Sequence, residues 1–228
     1  MNASPNVAEV ASILGEPSRS LILTSLMDGR FHTATELAYM AGIKQQTASF
    51  HLSKLMKANL IIMEKHGRHR YYHIIDGEVA QILESFLALS RPPEIRSLNQ
   101  SIQMKALKSG RTCYDHLAGE LGVGLTESML QEGLIEKAEK EFIVSSKGER
   151  FFEEFGLDIS KLRQKRRSFS RVCLDWSERQ HHLAGALGNA IAAKLFEINW
   201  IEKHPSSRAV KVTERGHDGL QKYFNMKV

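Results

Sequence analysis

Residues 31–75 carry helix, turn and strand signals in an order few folds accommodate, and no other stretch constrains the chain as much. In FHTATELAYMAGIKQQTASFHLSKLMKANLIIMEKHGRHRYYHII, Thr33 and Glu36 have capping-box spacing, so a helix is predicted from there to about Met40. Gly42 permits a tight turn. Ile43 can plug the angle between helices, and Lys44 to Ala58 forms a second helix whose apolar face is Ala48, Leu52, Leu55 and Met56. Its other face carries Gln45, Gln46, Thr47, Ser49 and His51. Asn59 suits the left-handed conformation that ends a helix. The chain then runs through Leu60-Ile61-Ile62-Met63 to the turn His66-Gly67-Arg68-His69 and back through Tyr71-Tyr72-His73-Ile74.

Helix, tight turn, helix and hairpin in this order make a winged helix-turn-helix, which lays its second helix in the major groove and its wing beside the phosphates. The charge distribution agrees with that reading. The net charge is +5, yet residues 1–95 hold nine Lys/Arg and nine Asp/Glu, so the half that would read DNA is neutral as a whole. Within 44–70, Lys44, Lys54, Lys57, Lys65, Arg68 and Arg70 face only Glu64, with His51, His66 and His69 interleaved. A solvated helix face gives the same count, but the helix-turn-helix pattern favours phosphate contacts. The residues expected at double-stranded operator DNA are Lys44, Gln45, Gln46, Thr47, Ser49, His51, Lys54, Lys65, Arg68 and Arg70.

From Glu16-Pro17-Ser18-Arg19, through Thr47-Ala48-Ser49-Phe50-His51-Leu52 and Ala58-Asn59-Leu60-Ile61, to Gly67-Arg68-His69-Arg70-Tyr71, the chain resembles the ArsR family of bacterial winged-helix repressors. The resemblance covers about the first 90 residues. It implies a dimeric transcriptional repressor released from its operator by a signal. The family's best-known metal sensors carry a cysteine pair on the first helix of the helix-turn-helix, where this chain has Glu36-Leu37-Ala38-Tyr39-Met40. A second common site uses Asp and His on the helix after the wing, and Glu78 to Phe86 holds no histidine. The resemblance therefore leaves the inducer unspecified.

At 228 residues and 42% apolar content, the chain can bury two small cores, more than one winged helix needs. Two domains are expected: 1–92 for DNA binding and dimerisation, and 100–228 beyond a stiff Arg91-Pro92-Pro93-Glu94 boundary. Val7, Val10, Ala11 and Leu14, behind a Ser4-Pro5 start, and Val79, Ile82, Leu83, Phe86 and Leu87 form apolar stripes. These are either core or homodimer surface. There is no apolar run of roughly 18 or more residues and no charged-then-apolar leader, so neither a membrane span nor a secretory signal is expected. Two cysteines do not make a disulfide framework, which makes a reducing cytoplasm the default.

Residues 116–137 and 182–203 match at an offset of 66, with nine of 22 positions identical, enough to indicate an internal duplication. The match resumes at offset 68, Val144 with Val212 and Gly148 with Gly216, as expected if the second hairpin is two residues longer. Each copy reads helix, turn, strand, strand, helix, with Gly133 and Asn199 at helix ends like Asn59. The fold class expected is mainly α with small β-hairpins (α+β). An N-terminal winged helix-turn-helix would precede two winged-helix-like copies, at about 110–156 and 170–225. Neither copy shows a clear recognition helix, because Gly119, Gly122 and Gly124, and Ala184, Gly185, Gly188 and Ala190, leave small surfaces suited to close helix packing.

Cys113-Tyr114-Asp115-His116 has its counterpart in Cys173-Leu174-Asp175 with His181-His182. If the copies face each other across a twofold axis, Cys113, His116, Cys173 and His182 converge, a set suited to zinc or another transition metal. Cys113 and His116, at i and i+3, would share a helical face. Buried apolar cysteines and a thiol redox switch explain the same residues. The segment from Lys161 to Arg171 holds six cations and no acid, as a solvated linker helix, a contact to flanking DNA phosphates or the lining of an anionic-effector pocket would. Two functions stay open: a DNA-binding regulator whose C-terminal domain senses an effector, or an enzyme or metal-handling protein that uses the winged helix only for assembly. No nucleophile-base set or glycine-rich phosphate loop supports catalysis.

Overall fold

Capping chemistry fixes the first helices. In the computed structural model, which describes residues 7–90, 94–95, 97–205 and 207–227, α1 (Val7–Leu14) precedes α2 (Pro17–Leu26). Glu16 caps α2 by accepting from the backbone N–H groups of Ser18 and Arg19. After β1 (His32–Thr33), Thr33 and Glu36 form the capping box of α3 (Ala34–Met40). Ile43 N donates to Ala38 O at 2.9 Å, closing the turn that Gly42 makes at φ 64°. α4 (Gln45–Lys57) buries Ala48, Leu52 and Leu55, and Asn59 ends it at φ 54°. β2 (Ile61–His66) then pairs antiparallel with β3 (His69–Ile74), from Ile61↔Ile74 to His66↔His69. Gly67, at φ 60°, and Arg68 form the tip, a two-residue loop whose first position favours glycine. β1 pairs with the far side of β3, giving the order β1-β3-β2, a third strand too short for sequence periodicity to reveal. Asp76 caps α5 (Gly77–Leu89), accepting from Glu78 N and Val79 N at 2.9 Å.

The chain divides into two compact units, Met1–Leu83 and Glu84–Val228. The Ser4-Pro5 helix start and residues 91–93 of the expected boundary lie outside the described residues. In the second unit, α6 (Leu98–Ser109) leads into β4 (Arg111–Cys113), β5 (His116–Ala118), α7 (Gly119–Gln131), β6 (Ile135–Lys137), β7 (Phe142–Val144) and α8 (Ser146–Glu154). After the short α9 (Ile159–Arg163), the same order returns as β8 (Arg171–Leu174), β9 (His181–Ala184), α10 (Gly185–Glu197), β10 (Ile201–Lys203), β11 (Val210–Val212) and α11 (Glu214–Phe224). Residues 138–141 link β6 to β7, and the longer 204–209 links β10 to β11. Gly133 and Asn199 take φ 65° and 56° at the helix ends.

Two expectations are corrected here. Each repeated helix follows a β-hairpin that the repeat pattern did not suggest. Cys113 and His116 are therefore not on one helical face; they are paired across the β4–β5 turn, with Tyr114 at φ 61°. A spacing of three fits the two ends of a two-residue hairpin turn as well as one face of a helix. The small residues also act differently from expected. A Cβ on Gly122 would lie 2.4 Å from Leu117 O, and one on Gly188 2.5 Å from Leu183 O. These glycines seat a strand backbone against the helix, where close packing between helices had been expected.

α7 packs on β9 and α10 on β5, so each helix crosses to the other hairpin. Leu183 N donates to Thr126 Oγ1 at 2.9 Å across that contact. One apolar cluster runs through both halves, from Leu121, Leu125 and Phe142 to Leu187, Ile191 and Phe224. No helix among the described residues is long and apolar enough to cross a membrane.

Candidate nucleic-acid interface and a buried cysteine–histidine cluster

The first turn of α4 begins at Lys44, which supplies no side-chain cap, so its leading backbone N–H groups stay open to an anion. Lys44, Gln45, Gln46, Thr47, Ser49 and Lys54 are all exposed, and Lys54 Nζ lies 4.6 Å over the equally exposed Phe50 ring. On the wing, Lys65, Arg68 and Arg70 are exposed. Lys65 stands directly opposite Arg70, and like charges so placed destabilise a hairpin unless an anion lies against them. The nearest acid does not neutralise them. Glu64 sits between His66 at 3.2 Å and His73 at 3.3 Å, and the hydrogen bond from His66 leads in holding its carboxyl below the usual range.

His51 departs from the expected set. It is buried, with Nε2 3.6 Å from Glu16 Oε2, the same carboxylate that caps α2. Three residues past Ala48 and four before Leu55, it falls on the buried face of α4 and away from the polar one. Phe50 takes the exposed place instead. Its position in a polar run was a signal that sequence reasoning passed over.

In the second unit, the two hairpins bring Cys113, His116, Cys173 and His182 together, with one donor atom from each within 4.8 Å of the others. Cys113 pairs with His116 across β4–β5, and Cys173 with His182 across β8–β9. Sγ to Sγ is 3.9 Å, and Nε2 to Nε2 is 3.1 Å, with the rings stacked. All four residues are buried beside Ala118 and Ala184. Burial pushes the Cys113 thiol well up, and Cys173 beside it adds to the rise. Cys173 moves down: the hydrogen bond with Cys113 leads, burial opposes, and His116 and His182 assist. Burial works against charge on His116, but Asp115 and Cys173 outweigh it and raise its pKa to about 9.

Around the cluster stand residues to which the sequence pattern assigned no role. His116 Nδ1 is 3.3 Å from Asp115 Oδ1, and Asp115 is held by Arg167. His182 Nδ1 lies 3.9 Å from Asp175 Oδ2, which accepts from Arg111 Nη2 at 2.8 Å and Gly119 N at 2.7 Å. The signal was present: an aspartate follows each cysteine by two positions. The basic segment is partly used internally, with Arg163 on Glu149 at 2.8 Å and stacked 4.4 Å over Phe169.

Comparison with known proteins bears on both units. A family model described as "Bacterial regulatory protein, arsR family" matches residues 16–62. The chain is also 49% identical over 225 residues to an uncharacterized HTH-type transcriptional regulator, YdfF, of Bacillus subtilis, covering 99% of this chain and 100% of the relative. The chain belongs to the HTH-type transcriptional regulators, and residues 16–62 are an arsR-family domain. A second relative is the HTH-type transcriptional regulator NmtR of Mycobacterium tuberculosis, 35% identical over 82 residues, which are 36% of this chain and 68% of that protein. Among solved structures, NolR from Sinorhizobium fredii is 29% identical with a TM-score of 0.35, covering 39% of this chain and 95% of that one. The chain is a transcriptional regulator whose N-terminal unit carries an arsR-family winged helix-turn-helix.

Proposed function

We propose that the protein is a cytoplasmic, dimeric repressor that reads an operator through α4 and the wing, acts by binding and not by catalysis, and senses an effector in its second unit. The carrying observation is the wing, where Lys65 opposes Arg70 beside Arg68 and, among the described residues, no carboxylate pairs with them. Phosphates supply the missing charge. Gln45, Gln46, Thr47 and Ser49 in the first turns of α4 then stand where side chains reach base edges.

Dimerisation is supported by stripes left bare. Val7 and Val10 of α1, and Ile82, Phe86 and Leu89 of α5, are exposed, Leu89 at 83%. Apolar side chains at helical spacing on two helices favour a self-complementary partner surface. For the second unit, we read the repeated order of hairpin, helix, hairpin, helix as two winged-helix-like copies, at about 110–156 and 170–225. Their small-residue helices seat strands and leave no exposed reading face, which favours a sensing role.

The test is fluorescence anisotropy with duplexes from the protein's own promoter region across a salt series. Gln46→Ala is expected to cost roughly 1–3 kcal/mol on the preferred sequence and little on random duplex. Equal loss on both would remove Gln46 from base readout, and salt-independent binding would overturn the interface itself.

A further inference from the structure

We propose that Cys113, His116, Cys173 and His182 form a closed, four-coordinate site for one borderline-soft divalent ion, of which zinc is the representative. The proposal names the ligand class of the sensing unit, and its regulatory consequence rests on the reading given above.

Distances carry it first. In a tetrahedral site with Zn–S of about 2.3 Å and Zn–N of about 2.0–2.1 Å, ligand atoms stand about 1.63 bond lengths apart, giving roughly 3.8 Å between sulfurs and 3.3 Å between nitrogens. The structure has 3.9 Å and 3.1 Å. A disulfide fits less well, since its sulfurs lie about 2.05 Å apart. It would also leave two buried imidazoles aimed at each other without purpose.

Orientation carries it further. Both rings direct Nε2 into the cluster; His116 Nδ1 hydrogen-bonds Asp115 at 3.3 Å, while His182 Nδ1 lies 3.9 Å from Asp175, beyond hydrogen-bond reach. The Asp115–His116 contact is how metal-bound histidines are held, with the carboxylate setting the ring orientation. Each carboxylate is in turn anchored by an arginine, Asp115 by Arg167 and Asp175 by Arg111. The ligands come from two separate hairpins, so an ion would tie the halves of the unit together. Both cysteines of the chain are used. Ordinary buried cysteines would not bring two imidazoles with them.

Full-length protein purified in reductant without chelator provides the test. Near one zinc ion per chain is expected by mass spectrometry of the metal. Cobalt(II) exchanged into the site should show the intense d–d bands of a tetrahedral centre and a thiolate-to-metal charge-transfer band. Cys113→Ser with Cys173→Ser should lose the ion and that band while circular dichroism reports folding. If that variant does not fold, Asp115→Asn keeps all four ligands, spares the buried Arg111–Asp175 pair and should weaken zinc binding about 10–100-fold. The site is overturned by metal content well below one after zinc incubation, by an octahedral cobalt spectrum, by a Cys113–Cys173 disulfide that persists through purification in reductant, or by unchanged metal in the variants. A bound ion that leaves operator affinity unaltered would keep the site and overturn the sensing reading.

Discussion

Replacing Asp175 by asparagine removes one charge at nearly constant shape, where two fully buried ions meet. Arg111 and Asp175 have side chains 1% and 0% exposed and stand 2.8 Å apart. The carboxylate also accepts from Gly119 N at 2.7 Å, Ser177 N at 2.8 Å, Ser177 Oγ at 2.7 Å and Glu178 N at 3.0 Å. Asparagine offers one acceptor oxygen where the carboxylate offers two, and it leaves the Arg111 guanidinium without a countercharge. Breaking one partner of a buried pair costs about 3–5 kcal/mol. In a unit of this size each kcal/mol lowers Tm by about 2–4 °C, so a fall of roughly 6–20 °C is expected. Both tryptophans of the chain, Trp176 and Trp200, lie in the second unit, so their fluorescence during urea or thermal unfolding, with chelator present, reports that unit alone. Adding Arg111→Met removes the stranded charge and should recover part of the loss. A single variant within about 1 kcal/mol of the parent, or a double variant worse than the single, would refute the argument that this pair anchors the hairpins.

Further outcomes follow from the N-terminal unit. Arg68→Ala with Arg70→Ala should weaken specific and random DNA alike and lower the salt slope by roughly one unit for each phosphate no longer neutralised; an unchanged slope would place the wing elsewhere. Ile82→Asp should shift the proposed dimer toward monomer in sedimentation, since burying an isoleucine contributes about 1.5–3 kcal/mol and a twofold interface uses it twice; an oligomeric state identical to the parent's would exclude the α5 stripe. Burial works against the Asp28 carboxylate, but His32 at 2.9 Å and Arg30 at 2.7 Å outweigh it and hold its pKa below 3.8. A depressed folded pKa stabilises the fold above the ordinary carboxylate range, and that stability is lost as pH falls through the depressed value. Hydrogen exchange in α2–α4 should therefore show acid destabilisation below about pH 4, and Asp28→Asn should flatten that limb. Identical acid limbs in parent and variant would contradict it.

The reader was legible because its signals are local. A capping box, a glycine turn, a helix end at Asn59 and a two-residue hairpin each specify their own few residues, and α3, α4 and the wing fall where those signals put them. What escaped was set by tertiary packing. Two residues, His32 and Thr33, form a strand only because β3 offers a free edge. His51 lies three residues past Ala48 and four before Leu55 on the buried face of α4, and the Glu16 carboxylate that caps α2 meets it there.

The second unit shows a different limit. Duplication tells which residues are equivalent, so Cys113 pairs naturally with Cys173 and His116 with His182, but it does not tell which secondary structure they share. A separation of three suits both one helical turn and the ends of a tight hairpin, and the glycines that follow each pair suggested helix packing in either case. The strand geometry places thiol and imidazole side by side on neighbouring strands, pointing to the same face of each hairpin. Two such hairpins, each packed under the other copy's helix, then need only face each other to bring four donors to one point. A helical pairing would have set each ligand pair about one turn apart along an axis. The aspartates two residues beyond each cysteine acquire a role only in the hairpin, where the turn carries them back alongside the histidine rings.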